Sequence, residues 1–176
     1  MGQLNLGNGA NFVGGTNGFL ADSPKGTILQ FVQAAHTAMT QRLQSTSTSY
    51  TSTNYTLTIT PKNITSRILI LANLSCHANS NRYIYVRGYN DTASRYLTQD
   101  ENGVSRNDGM YESAIGGVNQ WGMMPYEGVD FPNSTSAQTY RLYVRAGGSG
   151  TIYTGWSGSA PNTYNMNYMH ALEIAQ

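Results

Sequence analysis

From residue 27 onward, apolar and polar positions alternate with a period of two over most of the chain, as in strands that turn one face to a core. Residues 27–35 read TILQFVQAA, with Leu29 and Phe31 on one face and Ile28 and Val32 on the other. This predicts a first strand covered on both sides. The Ser/Thr-rich stretch 45–54 reads as a connector into 55–60 (YTLTIT), where apolar residues alternate strictly with threonine. That is a half-buried strand with threonine outward, ended by Pro61 because proline cannot donate to a ladder. Residues 67–77 (RILILANLSCH) are apolar on both faces at their start, which suits a central strand better than an edge.

Residues 82–89 place Tyr83, Tyr85, Arg87 and Tyr89 on one face and Ile84 and Val86 on the other. One face belongs to the core and the other is an aromatic and arginine surface. Residues 90–139 are the least regular, with a short strand expected over 118–126 and a loop over 126–132. The pattern sharpens at 139–146 (TYRLYVRA), with Tyr140, Leu142 and Val144 inward and Arg141, Tyr143 and Arg145 outward. Gly147-Gly148-Ser149-Gly150 then reads as a hairpin turn into residues 151–156. Residues 167–175 read as a strand, since a helix there would be marginal in length and uncapped. Roughly eight short strands separated by turn signals imply an all-β antiparallel jelly-roll sandwich.

The first 26 residues follow neither period. They are Gly/Asn punctuation around the isolated apolar residues Leu4, Leu6, Phe12, Val13, Phe19 and Leu20. Glycine loses the most backbone freedom on folding, so this segment cannot bury a core of its own. It reads as an extended docking arm, residues 1–26, on a head domain of residues 27–176. Fully extended it spans at most ~90 Å, enough to lie along a neighbouring surface.

Composition narrows the function. Charged residues are 11% of the chain and the net charge is +1, so there is no electrostatic footprint for nucleic acid and no polybasic run for an anionic membrane. No run approaches the ~18 apolar residues of a membrane span, and the N-terminus has no basic region followed by an apolar stretch. Met1-Gly2 lacks the Ser or Thr at position 6 that myristoylation requires; Leu6 stands there. Cys76 is the single cysteine, which excludes an internal disulfide and leaves packing or subunit association to hold the fold.

Candidate chemistry is sparse. His36, His77 and His170 lie far apart with no metal-ligand spacing. No Ser sits in a Gly-x-Ser-x-Gly elbow, and Cys76 reads as a small buried hydrophobe. Asp100-Glu101-Asn102-Gly103 and Asn107-Asp108-Gly109 are acidic turns without EF-loop spacing. Glu127 and Asp130, three apart, read as solvated loop acids rather than a glycosidase pair. The expectation is a protein with no enzymatic activity, no cofactor and no metal. Tyr and Arg are enriched at interfaces, so Tyr83, Tyr85, Arg87, Arg141, Tyr143 and Arg145 are candidates for a subunit interface. Trp121, Trp156 and Tyr164 are candidates for a glycan-binding surface.

Three segments carry a family resemblance: residues 24–34 (PKGTILQFVQA), the Ser/Thr-rich 45–50, and 57–62 with 66–70 (LTITPK and SRILI). In this order they resemble a group of phage virion proteins, with a weaker match at 168–173 (YMHALE). The resemblance implies a jelly roll similar to the tumour-necrosis-factor and C1q head, usually a homotrimer, found as tail-fibre tips, head fibres and capsid-decoration proteins. No catalytic residues come with it, and this chain has no coiled coil or fibrous repeat before its head. The resulting expectation is a homotrimeric capsid-decoration or cement protein in the virion, assembled in the host cytoplasm. Its partners would be itself and the major capsid protein or another virion protein, with no nucleic acid and no membrane. The alternative is a tail-fibre or head-fibre tip that binds host-surface glycan.

Overall fold

The computed structural model describes residues 4–5, 11–12, 23–35, 43–78, 82–97, 112–115, 120–155 and 167–176. Among the described residues there is no helix, and thirteen strands follow one another: β1 (Leu4–Asn5), β2 (Asn11–Phe12), β3 (Ile28–Gln33), β4 (Leu43–Ser45), β5 (Thr51–Ile59), β6 (Arg67–Ala78), β7 (Arg82–Asn90), β8 (Arg95–Tyr96), β9 (Glu112–Ile115), β10 (Gln120–Asp130), β11 (Gln138–Ala146), β12 (Ile152–Thr154) and β13 (Tyr168–Ile174).

Two antiparallel sheets face each other. In the first, β6 is central. β10 runs along one side of it, from Gln120 opposite Ala78 to Asp130 opposite Ile68. Its other side is shared, with β13 and then β3 beside its first half and β12 and then β4 beside its last residues. The second sheet has the order β5-β11-β7, with β8 and β9 sharing the outer side of β7. Along the chain the strands cross between sheets at β4/β5, β5/β6, β6/β7, β9/β10, β10/β11 and β11/β12. This alternation makes the two sheets a jelly-roll-like β-sandwich.

The core lies between the sheets and follows the period-two pattern. Burial alternates along all of β11, so Tyr140, Leu142 and Val144 face inward. They meet Tyr55, Leu57 and Ile59 of β5, Ile68, Ile70 and Leu74 of β6, and Met124 of β10 in one cluster. Cys76 is fully buried in it, and desolvation holds its thiol well above the ordinary range. Ordinary packing of a small hydrophobe accounts for this residue.

Four expectations need correction. The 45–54 connector is strand at both ends, because β4 includes Ser45 and β5 begins at Thr51. The expected 126–132 loop is strand as far as Asp130, because β6 is long enough to pair β10 throughout. Residues 147–150 do not close a hairpin. β11 ends in the second sheet, whereas Ile152 pairs with Ser45 and Ala78 of the first, so the glycine-rich link crosses the ~10 Å between the sheets. Lastly, among the described residues β3 is not covered on both sides. Val32 and Ala34 pack inward, while Ile28 and Phe31 are 57% and 55% exposed.

Three local devices shape the sandwich. The β5–β11 register jumps between Arg141 opposite Thr56 and Tyr143 opposite Ser52, so residues 53–55 bulge. Thr53 fills the gap in the ladder: its hydroxyl donates to Leu142 O at 2.6 Å and accepts from Tyr55 N at 3.1 Å. Gly88, in β7, has no side chain because Tyr126 reaches across the core to it. A Cβ there would lie 2.5 Å from Tyr126 Oη and 2.7 Å from Leu97 Cδ1. Glu173 is a buried carboxylate on the core side of β13. It accepts from Lys62 N at 2.7 Å, Asn63 N at 3.0 Å and Gln30 Nε2 at 2.6 Å, and so ties the β5–β6 turn to β3 and β13.

Candidate functional site: the two outer sheet faces

The candidate interface residues do converge, on the outer face of the second sheet. Register sets Tyr85 opposite Arg145, Arg87 opposite Tyr143 and Tyr89 opposite Arg141, so each arginine has an aromatic neighbour across the strand pair. Arg145 Cζ lies 3.8 Å from the Tyr85 ring centroid and 5.3 Å from that of Tyr50. Arg87 sits between Tyr50 at 4.8 Å and Tyr96 at 4.5 Å and is 8% exposed. Tyr89 continues the array, 5.0 Å from both Tyr96 and Tyr143. Arg141 takes a carboxylate partner instead, with Nε donating to Asp91 Oδ2 at 2.7 Å and Nη1 to Thr53 O at 3.0 Å. Partial burial and then the Asp91 charge raise the Tyr143 phenol above its ordinary value.

Tyr83, 52% exposed at the end of the row, is the open member of this face. Tyr50, Tyr96 and Asp91 were not among the sequence candidates. Tyr50 lies in the Ser/Thr stretch, and Tyr96 joins only through the pairing of β8 with β7, a non-local contact that no local pattern announces. Guanidinium over aromatic rings gives affinity and rigidity, and here most of that stacking is consumed within the chain.

The outer face of the first sheet went unnoticed in the sequence. Its strand register aligns side chains in rows across four strands. Phe31, Leu172, Leu69 and Val129 form one row, and Gln33, His170, Leu71 and Glu127 form the next. A third sets Tyr168 and Pro125 on either side of Asn73. Met123 and Tyr168, like Phe31, are exposed, at 42% and 39%. His170 stacks on Tyr168 at 5.0 Å and tilts against Phe31 at 4.9 Å. Glu127 is exposed on β10 at one flank. At the other flank, Lys62 Nζ donates to Leu29 O of β3 at 3.3 Å. Arg67 closes one end of the face, its guanidinium bonded to Gln176 at 2.6 Å and 5.7 Å from the Phe131 ring. Sequence alternation did not separate this face from core, because residues 28–32 and 67–71 are apolar on both sides.

The remaining candidates are placed as follows. Leu4 and Phe12 are opposite each other in the β1–β2 pair, and Leu6, Val13, Phe19 and Leu20 lie outside the described residues. Trp121 is in β10 opposite His77; Trp156 and Tyr164 lie outside the described residues. So do His36 and both acidic turns at 100–103 and 107–109. Glu127 and Asp130 point to opposite faces of β10, one exposed and one 3% exposed. Asp130 is no loop acid: its oxygens accept from Arg95, Asn90 and Tyr140. His77 packs against Tyr153 at 5.3 Å. Among the described residues, no group of three His, Cys, Asp or Glu side chains could hold a metal ion.

No protein-family profile matches the sequence, and no curated protein matches it. Among solved structures, the crystal structure of the infectious bursal disease virus VP2 subviral particle is similar at 13% identity and a TM-score of 0.42, over 83% of this chain and 37% of that one. The structure of the infectious bursal disease virus Gx strain is similar at 10% identity and a TM-score of 0.40, over 82% of this chain and 37% of that one. The chain thus spans little more than a third of either.

Proposed function

We propose that this chain is a non-enzymatic structural protein of a phage virion, a homotrimeric capsid-decoration or cement protein. Its β-sandwich head, residues 27–176, forms a knob, and residues 1–26 attach the knob to the major capsid protein or another virion protein. One observation carries the reading: β1 and β2 pair with each other in a two-stranded sheet of their own and join neither sheet of the sandwich. The two sandwich sheets are built without Leu4–Asn5 and Asn11–Phe12, which favours attachment through this part of the chain. Two buried carboxylates, Asp130 and Glu173, are engaged in internal hydrogen bonds, which favours a structural role over a catalytic one.

The test removes residues 1–24. The truncated protein should keep its β-rich circular dichroism and its oligomeric mass and lose binding to particles that lack the protein. Full binding by the truncated form overturns the reading. Binding of the isolated head to host cells, abolished by Trp156→Ala, would favour a glycan-binding fibre tip instead. Imaging of the intact virion separates the two by copy number, hundreds for decoration and few for a tip.

A further inference from the structure

The edges of the two sheets are not alike. Among the described residues, β10 borders the first sheet along one side and β5 borders the second. Pro125 interrupts the β10 edge and Glu127 charges it, while β5 is bulged at residues 53–55 and exposes Ser52, Asn54 and Thr58. At the remaining borders β4, β8 and β9 are short, with 3, 2 and 4 residues. Proline, charge, bulges and brevity all discourage a foreign strand from pairing. β3 is different. Its register shift lies early, between Ile28 and Gln30, and from there to Gln33 it has neither proline nor charge. Ala34 N donates to Met169 O at 2.9 Å, which fixes the ladder phase so that Phe31 and Gln33 turn their backbone N–H and C=O groups away from β13. Phe31, 55% exposed, sets an apolar ring beside them. An unprotected edge of this kind is a template for another strand.

Charge identifies the occupant. Lys25 and Lys62 are the only lysines of the chain, and both stand at the start of this edge. Lys25 is exposed in the turn that leads into β3, and Lys62 Nζ lies 3.3 Å from Leu29 O. Among the described residues, the ion pairs at Asp91 and Asp130 belong to arginines, and neither lysine shares in one. Two copies paired edge to edge would bring residues 30–36 (QFVQAAH) to these ammonium groups, a stretch without an acid. The edge is therefore complementary to an acidic strand and not to itself. We infer that an extended segment of the virion protein to which this chain attaches adds as a strand to β3. Its backbone pairs with Phe31 and Gln33, an apolar side chain rests on the Phe31 ring, and a carboxylate meets the two lysines. The inference rests on the attachment proposed above and names a second contact, on the head, that the attachment uses.

The test uses the full chain and particles that lack it, with binding measured by cosedimentation and folding by circular dichroism. Gln33→Pro removes an outward N–H and no bond to β13, so it should leave the fold intact and weaken binding about tenfold or more. Lys25→Glu with Lys62→Glu should weaken binding by a similar factor, and added salt should narrow the gap from wild type. Amide exchange of the wild-type chain gives a readout that needs no variant: Phe31 and Gln33 should exchange about tenfold or more slowly on the particle than free, while Val32 and Ala34 stay slow in both. A wild-type chain that does not bind particles overturns both the attachment and this inference. Binding by wild type with Gln33→Pro within about twofold of it overturns this inference alone, as do Phe31 and Gln33 amides that exchange equally fast bound and free. Slow exchange of these amides in the free chain also overturns it: loss of the protection on removal of residues 1–22 assigns the edge to the chain's own N-terminal segment, and loss on dilution assigns it to a second copy.

Discussion

The Tyr140 hydroxyl donates to Asp130 Oδ2 at 2.9 Å, joining β11 of one sheet to β10 of the other. The same oxygen accepts from Asn90 Nδ2 at 2.7 Å, and Oδ1 holds Arg95 at 2.6 Å. Tyr140→Phe removes one donor and leaves the carboxylate otherwise bonded, so it should cost about 1 kcal/mol. Asp130→Ala strands two buried donors at once and should cost about 3 kcal/mol. The Arg95 side chain, 44% exposed, regains water and adds little. Urea denaturation at fixed protein concentration measures both; equal costs for the two variants would show that the carboxylate is not the hub.

Alkali should unfold the head before its core tyrosines ionise. Burial is the largest cause that raises the phenols of Tyr55, Tyr126 and Tyr140 above their ordinary value near 10, and the Asp130 charge adds to it at Tyr140. A raised folded-state value means that the unfolded chain gives up these protons first. Stability from this source is therefore intact below pH ~10 and falls as pH rises beyond it, by up to about 1.4 kcal/mol per pH unit for each group. The Cys76 thiol acts in the same direction from a lower pH, so Cys76→Ala should flatten the onset. Absorbance at 295 nm should show these three of the 13 tyrosines ionising only together with loss of the near-ultraviolet dichroism. Complete tyrosine ionisation in a head that is still native would refute the assignment.

The parts of the fold legible in the sequence are those where one face is core and the other water. Residues 55–60 and 139–146 announced their inward sides by alternation, and Tyr55, Leu57, Ile59, Tyr140, Leu142 and Val144 are all buried. The outer face of the first sheet was hidden because Phe31, Leu69 and Leu71 look like core to any local pattern. Exposure is decided by which strands stack above them, and among the described residues nothing covers Phe31 fully. The link at 147–150 was misread for a related reason. Glycine-rich composition announces a change of direction and carries no information about which sheet the next strand joins. Convergence of Tyr83, Tyr85, Arg87, Arg141, Tyr143 and Arg145 on one face was legible, since outward positions on neighbouring strands must share a side. Their partners Tyr50 and Tyr96 were not, because they reach the face from a turn and from a two-residue strand.

Gly88→Ala should be among the most damaging single-methyl additions in the head. The new Cβ would collide with the Tyr126 hydroxyl and with Leu97 Cδ1, and Tyr126, 4% exposed, has little room to withdraw. Overpacking of this kind costs about 1–3 kcal/mol. Tyr126→Phe removes the oxygen nearest the new methyl group, so the pair Gly88→Ala with Tyr126→Phe should be less destabilised than the two single costs added together. Additive costs in that double-mutant cycle would mean that the backbone, and not Tyr126, absorbs the methyl group.

Glu173 is the buried acceptor that fixes the β5–β6 turn. Its Oε1 accepts from the backbone of both Lys62 and Asn63, and Oε2 accepts from Gln30 Nε2. Glu173→Ala leaves these donors without a buried acceptor and should cost about 2–4 kcal/mol. Glu173→Gln is the sharper variant, because it keeps the volume and one acceptor oxygen. It can still serve Lys62 N and Asn63 N, but its amide nitrogen then faces the Gln30 nitrogen, donor against donor, unless Gln30 turns. Turning Gln30 would in turn place its oxygen near Thr60 O, where Nε2 now donates at 2.7 Å. Glu173→Gln should therefore cost about 1–2 kcal/mol, and Gln30→Ala in the same chain should remove most of that penalty. Urea denaturation of the single and double variants measures both costs, and a Glu173→Gln penalty that survives Gln30→Ala would mean that the donor clash is not its source.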